Sequence, residues 1–203
     1  MKDADAQTTD PARPGFRTLE DATPDDWRVI DRAESADRLK RTVGDRLLEL
    51  LASMRGADPL GCPVNLHGHS LQTATRVLSA GEDDELVVVA LFHDLGEALS
   101  DNHHGLVAAG LLSPWISERR AWLLVRHVEF QQFHFVNHPT ADTHARDRFA
   151  GHPYYAETAY FCQFYDQNSF DPDYPTRSLD DFVPIVRRFF GRPRPPLKPP
   201  SAM

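Results

Sequence analysis

Apolar residues recur along much of the chain at three- and four-residue intervals, the period of a helix with one buried face. Leu47, Leu48, Leu50 and Leu51 carry that pattern in ADRLKRTVGDRLLELLASM, a long amphipathic run that ends near Gly56. HSLQTATRVLSAG places Leu71, Ala74 and Leu78 on one face and stops at Gly81. GEDDELVVVALFHDLG opens with acidic residues, favourable at the positive end of a helix dipole, and has Gly96 near its end. Val87 to Val89 would suit a strand, but the length of the run and the lack of a neighbouring strand-like segment favour a buried helix. Further helices are expected over 104 to 112, 115 to 132, 153 to 167 and 178 to 190, with no alternating strand pattern and no internal repeat. The expected fold is all-α, a bundle of about seven helices over 25 to 191. Residues 1 to 24 are polar, include Pro11, Pro14 and Pro24, and read as a mobile N-terminal arm. GRPRPPLKPPSAM, at the other end, makes 192 to 203 an extended proline-rich tail.

Charge narrows the partners. The 203 residues carry 22 Lys plus Arg against 30 Asp plus Glu, a net charge of -8 that repels nucleic acid and anionic membrane and favours a small-molecule partner. No stretch approaches the ~20 apolar residues that span a bilayer, and MKDADAQTTDPARPG lacks the apolar centre of a secretion signal, so a cytoplasmic protein is expected. Cys62 and Cys162 show no CxxC spacing; both are expected to be reduced, with Cys162 in the core. Lys2, Lys40 and Lys198 are the only lysines, so the region from 41 to 197 relies on arginine for positive charge.

Against this background LVVVALFHDLGEAL raises a question of chemistry. Seven apolar residues run straight into His93 and Asp94, and an ionised carboxylate buried there costs several kcal/mol unless something pairs with it. Other helices deliver similar groups. His104 shares a face with Val107, Ala108 and Leu111; His127 shares one with Leu123 and Phe130; Asp166 shares one with Tyr155, Ala159 and Cys162; His69 opens the helix before the apolar one. Polar groups buried separately would each need a partner, whereas a shared cation satisfies them together. Four imidazoles and two carboxylates suit iron, manganese, zinc or cobalt, and six ligands exceed the needs of one tetrahedral ion, which implies two metals with a carboxylate between them. His104 is preferred to His103 because its helical face is the apolar one. His67, His134, His138, His144 and His152 fall at helix starts or in loops, where a solvated or supporting role is expected.

HSLQTA, ALFHDLGE, HHGLVAAGLL, VRHVEF and FYDQNSF, taken in order over about 65 to 175, resemble the metal motifs of the dinuclear branch of the HD-domain superfamily. They look most like the mixed-valent diiron oxygenases, the group of myo-inositol oxygenase and the organophosphonate oxygenases. The resemblance implies an HD-domain helical bundle in which His69, His93, Asp94 and Asp166 bind one iron, His104 and His127 complete the other, and Asp94 bridges an Fe(II)/Fe(III) pair. It implies an enzyme that uses O2 to oxidise and cleave a small hydroxylated substrate. The known oxygenases carry a lysine or histidine three residues after the motif aspartate, where this chain has Glu97. The phosphonate enzymes add a lysine where it has Gln131. Glu97 would therefore favour a hydroxyl or ammonium group on the substrate, Gln131 would shape the pocket, and Arg126 beside His127 is the nearest candidate to grip an anion. The alternative is a metal-dependent HD-type phosphohydrolase acting on a small phosphate ester or nucleotide with manganese or another divalent metal, with Glu97 placing the attacking water. A third possibility is a non-catalytic bundle that its metals merely hold together.

Overall fold

The computed structural model describes residues 13–40 and 42–192, and everything below concerns those residues. It contains α-helices, short 3-10 turns and no strand among the described residues, an all-α architecture with eight helices. The chain divides into two compact units, Met1–Thr42 and Val43–Met203.

In the first unit, α1 (Pro24–Lys40) is the helix that the apolar pattern does not announce. Its start is a local capping box: the Thr23 backbone N–H and hydroxyl donate to Asp26 Oδ2 at 2.9 and 2.7 Å, and the Asp26 N–H donates back to the Thr23 hydroxyl at 3.3 Å. The unit boundary after Thr42 lies later than the expected start of the bundle at 25, and the amphipathic run expected to be continuous from Ala36 is two helices. The expected arm falls partly outside the described residues, which begin at 13; of the expected tail, 192 to 203, all but Arg192 falls outside them.

The second unit is built around α4 (Asp84–Phe92), whose residues Leu86 to Phe92 are all buried. A helix with no polar face must be covered on every side. It packs against α3 (Leu66–Ser79), α6 (Glu118–Gln131) and α8 (Leu179–Phe190); α2 (Val43–Ser53) lies against α8, and α5 (His104–Leu112) against α6. Caps fix where these helices begin. Asp83 accepts the Leu86 N–H at 2.8 Å to start α4, and Asn65 accepts the Gly68 N–H at 2.9 Å to start α3 while its amide donates to Arg55 O at 2.9 Å. Ser178 and Asp181 form a capping box at α8. The segment expected from 115 starts at Glu118 instead: Trp115 closes a turn onto Leu112 O at 2.9 Å, and Ser117, with extended backbone, is the cap at which α6 begins.

The segment expected over 153 to 167 is α7 (Tyr155–Phe161), continued by one π turn, Cys162–Asp166, where the Gln167 N–H reaches Cys162 O at 3.1 Å. The wider turn changes the phase of the helix just where Asp166 must point inward. Cys162 and Cys62 are both free thiols, the first buried and the second exposed. No helix among the described residues is long and apolar enough to cross a membrane.

Candidate metal centre

Five segments converge at the C-terminal end of α4. His69 comes from the first turn of α3, His93 and Asp94 from the end of α4, His104 from the start of α5, His127 from α6, and Asp166 from the π turn. The structure brings all six side chains together; His69, His93, His127 and Asp166 are at most 1% exposed and Asp94 is 6% exposed.

Asp94 divides its two oxygens. Its Oδ2 lies 3.3 Å from His69 Nε2 and 3.2 Å from His93 Nε2, while its Oδ1 lies 3.1 Å from His127 Nε2 and 3.4 Å from His104 Nε2. Asp166 Oδ1 joins the first group, 3.2 Å from His69 Nε2 and 3.7 Å from His93 Nε2. Within each half the imidazole nitrogens approach closely: 3.1 Å for His69 and His93, and 3.1 Å for His104 and His127. Two ligands each about 2.1 Å from one ion at octahedral to tetrahedral angles stand roughly 3.0–3.4 Å apart, and all of these spacings except the 3.7 Å one match such an edge.

The outer nitrogens fix which face each ring presents. His69 Nδ1 donates to Ser169 O at 3.0 Å, His93 Nδ1 to Ala90 O at 2.8 Å, and His127 Nδ1 to Leu124 O at 2.7 Å. His104 Nδ1 donates to the Glu97 carboxylate at 2.5 Å. A carbonyl or carboxylate only accepts, so every Nδ1 carries a proton, and every Nε2 faces inward as the nitrogen that can ligate a metal once its own proton is lost. Phe170 stacks on His69 at 4.5 Å, and Phe161 meets His93 edge-on at 5.7 Å, which limits ring rotation. Asp166 Oδ2 is buried with no hydrogen-bond partner, an arrangement that is costly in an apolar core unless a cation completes it. Buried His and Asp groups of this kind can hold metal ions, and His69, His93 and Asp166, and His93, Asp94 and His127, each bring ligand atoms within 4.8 Å of one another.

Without metal, the cluster balances itself by protonation. Burial disfavours charge on every member, yet the carboxylates overcome it: Asp166 and Asp94 raise His69 to about 9, and Asp94 and Asp166 raise His93 well above its ordinary value. Burial works against Asp94 and Asp166 as well, and the neighbouring histidines outweigh it and hold both below the usual carboxylate range. The Cys162 thiol, buried beside Asp166, is pushed well up and donates to His127 O at 3.6 Å, so it braces α6 rather than offering a thiolate.

The three residues expected to meet substrate have other attachments. Glu97 lies in the 3-10 turn Leu95–Ala98, and its Oε1 accepts from the outer nitrogen of His104, which orients that ring. The Gln131 amide donates to Asp166 Oδ1 at 3.0 Å, a second brace. Arg126 lines a cleft of about 360 Å³ with His103 and His104, but its Nη1 lies 3.2 Å from Glu129 Oε1. Among the other histidines, His67 is buried and donates from Nδ1 to Leu51 O at 2.8 Å, His152 stacks on Trp122 at 4.2 Å, and His144 pairs with Asp147 at 2.8 Å. The carbonyls of Ser169, Ala90 and Leu124 escape sequence reading altogether, since any residue type supplies a carbonyl.

Two glycines let the segments close on the cage. A Cβ at Gly105 would stand 2.3 Å from Leu124 O and 3.2 Å from His127 Cε1, and one at Gly96 would stand 2.3 Å from His104 O. Gly105→Ala should therefore push α5 off α6, destabilise the fold by about 1–3 kcal/mol, and pull His104 away from His127, weakening any metal uptake there. Gly110→Ala, with nothing within 4 Å, should instead stabilise the same helix by up to about 1 kcal/mol. Metal stoichiometry and thermal melts of the two variants check this, and equal behaviour would show that the close approach does not matter.

No family model matches the chain, and no curated protein matches it.

Proposed function

We propose that this protein is a dinuclear metalloenzyme of the HD-domain type, a non-haem diiron oxygenase that uses O2 to oxidise and cleave a small hydroxylated substrate. What carries the reading is Asp94, which offers one carboxylate oxygen to each of two histidine pairs. His69, His93 and Asp166 would hold one ion, His104 and His127 the other, with Asp94 shared. A bound iron pair would supply the affinity for a substrate oxygen and the redox chemistry of dioxygen.

The chain's own residues do the positioning. Four Nδ1 protons are committed to backbone carbonyls or to Glu97, which fixes the rings with each Nε2 toward the metal side. Gln131 orients Asp166. Phe161, fully buried and edge-on to His93, and Phe170, stacked on His69, keep water from those two rings. Glu97 favours oxygen chemistry over phosphoryl hydrolysis: the carboxylate that a phosphohydrolase would use to place its attacking water sits on the outer nitrogen of His104.

Protein expressed with iron is expected to carry two irons per chain and, when partly reduced, to give the electron paramagnetic resonance signal of a mixed-valent pair. Turnover of p-nitrophenyl phosphate or nucleotides with manganese, without oxygen consumption, would transfer the assignment to a phosphohydrolase.

A further inference from the structure

The cage lies next to a pair of polar groups that it does not use. After α6 the chain makes a 3-10 turn, Gln132–His134, that packs against a second one, Ala145–Phe149. The first begins immediately after Gln131, whose amide is on Asp166. The guanidinium carbon of Arg146 sits over Phe133, 3.3 Å from the ring centroid, a contact that holds it in place. Arg146 Nε and His134 Nε2 are both buried without a hydrogen-bond partner.

The neighbouring arginines are differently placed. Arg126 and Arg148 share Glu129 Oε1 at 3.2 and 3.1 Å, and the buried Arg120 is paired with Glu157. Arg146 has no carboxylate within ion-pair distance among the described residues, in a chain whose net charge is -8. Arg120 and Arg126 also bury an Nε without a hydrogen-bond partner, so what sets Arg146 apart from them is the missing carboxylate: a partly buried cation with no acid beside it favours an anionic ligand. His134 follows Gln131 by three residues, and the Gln131 amide is on Asp166 Oδ1, which puts this pair of turns on the Asp166 side of the cage.

We propose that Arg146 and His134 form a subsite for a carboxylate on the substrate, so that the molecule presented to the metal centre is a small hydroxy acid. The guanidinium offers a planar fork that matches a carboxylate in two parallel hydrogen bonds. One such cation balances one negative charge. A dianionic phosphate or phosphonate would need a second, and no lysine occurs between 41 and 197. His134, which burial and then the nearby Arg146 hold below its ordinary value, adds a neutral hydrogen-bonding group rather than a second charge. The subsite deepens the oxygenase reading and rests on it for the role of the bound acid as substrate.

Calorimetric titration of the full chain, iron-loaded and metal-free, with glycolate, acetate and inorganic phosphate tests it, with metal content measured on every sample. Glycolate should bind the loaded protein best, and Arg146→Gln should weaken it on the order of 10- to 100-fold with two metals retained. Arg146→Lys, which keeps the charge and loses the fork, should fall between the two, and Arg148→Gln should bind as wild type. Glycolate binding that is absent, or unchanged in Arg146→Gln, overturns the proposal, as does phosphate binding more tightly than glycolate through Arg146. If the chain takes up no metal but still binds glycolate through Arg146, the metalloenzyme reading fails and the carboxylate subsite stands.

Discussion

Asp94→Ala should empty both metal positions at once and destabilise the fold by about 3–5 kcal/mol, the usual cost of removing one member of a buried charged group. The expectation follows from how its oxygens are divided. Oδ2 serves His69 and His93, and Oδ1 serves His104 and His127, so neither half keeps its set of donors when the carboxylate goes. Asp94→Asn tests the charge separately, since it keeps the shape but replaces one acceptor oxygen with an N–H donor that would face two imidazole lone pairs. Asp166→Ala and His127→Ala should each lose one metal, the first from the His69 and His93 half and the second from the His104 half. His138→Ala makes a fair comparison, because that ring is exposed and contacts Thr140; it should change stability by less than about 0.5 kcal/mol. Metal analysis and denaturant melts of the series decide the matter. Two metals retained in Asp94→Ala, or an equal loss in His138→Ala, would falsify the shared-carboxylate assignment.

Much of the scaffold is legible because burial imposes a period. The helix at 104 to 112 follows from the apolar spacing around Val107, Ala108 and Leu111, and α4 follows from a run too long and too isolated to be a strand. The six converging side chains are legible for a related reason: a histidine or carboxylate on an apolar face is expensive, so its presence marks a place where something compensates. What is hidden depends on direction rather than spacing. Glu97 lies three residues after Asp94, and nothing in that interval says whether its carboxylate points to the reactants or to the back of His104. The answer comes from Gly96, whose missing Cβ lets the turn close against the His104 backbone. Gln131 is ambiguous in the same way until the π turn brings Asp166 within 3.0 Å of it. Arg146 and His134 lie in turns with no period at all, and their juxtaposition exists only in three dimensions. α1 is hidden because its polar sequence, PDDWRVIDRAESADRLK, carries no apolar stripe, and its start is written in the Thr23 and Asp26 cap.

Removing the metals should have its largest effect at alkaline pH. In the metal-free cluster His69 is raised to about 9 and His93 well above its ordinary value, so their contribution to stability is complete below about pH 6.5 and is lost as pH climbs through 9. Asp94 and Asp166 are lowered, so their contribution is complete above about pH 4 and disappears only in stronger acid. The stripped protein is therefore most stable between about pH 4 and 6.5, and His69 alone forfeits on the order of 3 kcal/mol by pH 9. Loading works in the opposite direction. Metal ions need the histidines neutral and expel their protons, so affinity grows over the same interval in which the stripped cluster weakens. Each ion at about 100 times its dissociation constant adds roughly 2.7 kcal/mol to the folded state. Melting temperatures of loaded and chelator-treated protein should accordingly lie close together near pH 6 and diverge steadily toward pH 9, with uptake releasing measurable protons at the acidic end. A gap that stays constant across that range would mean that the protons on His69 and His93 do not compete with metal, and that the ions bind elsewhere.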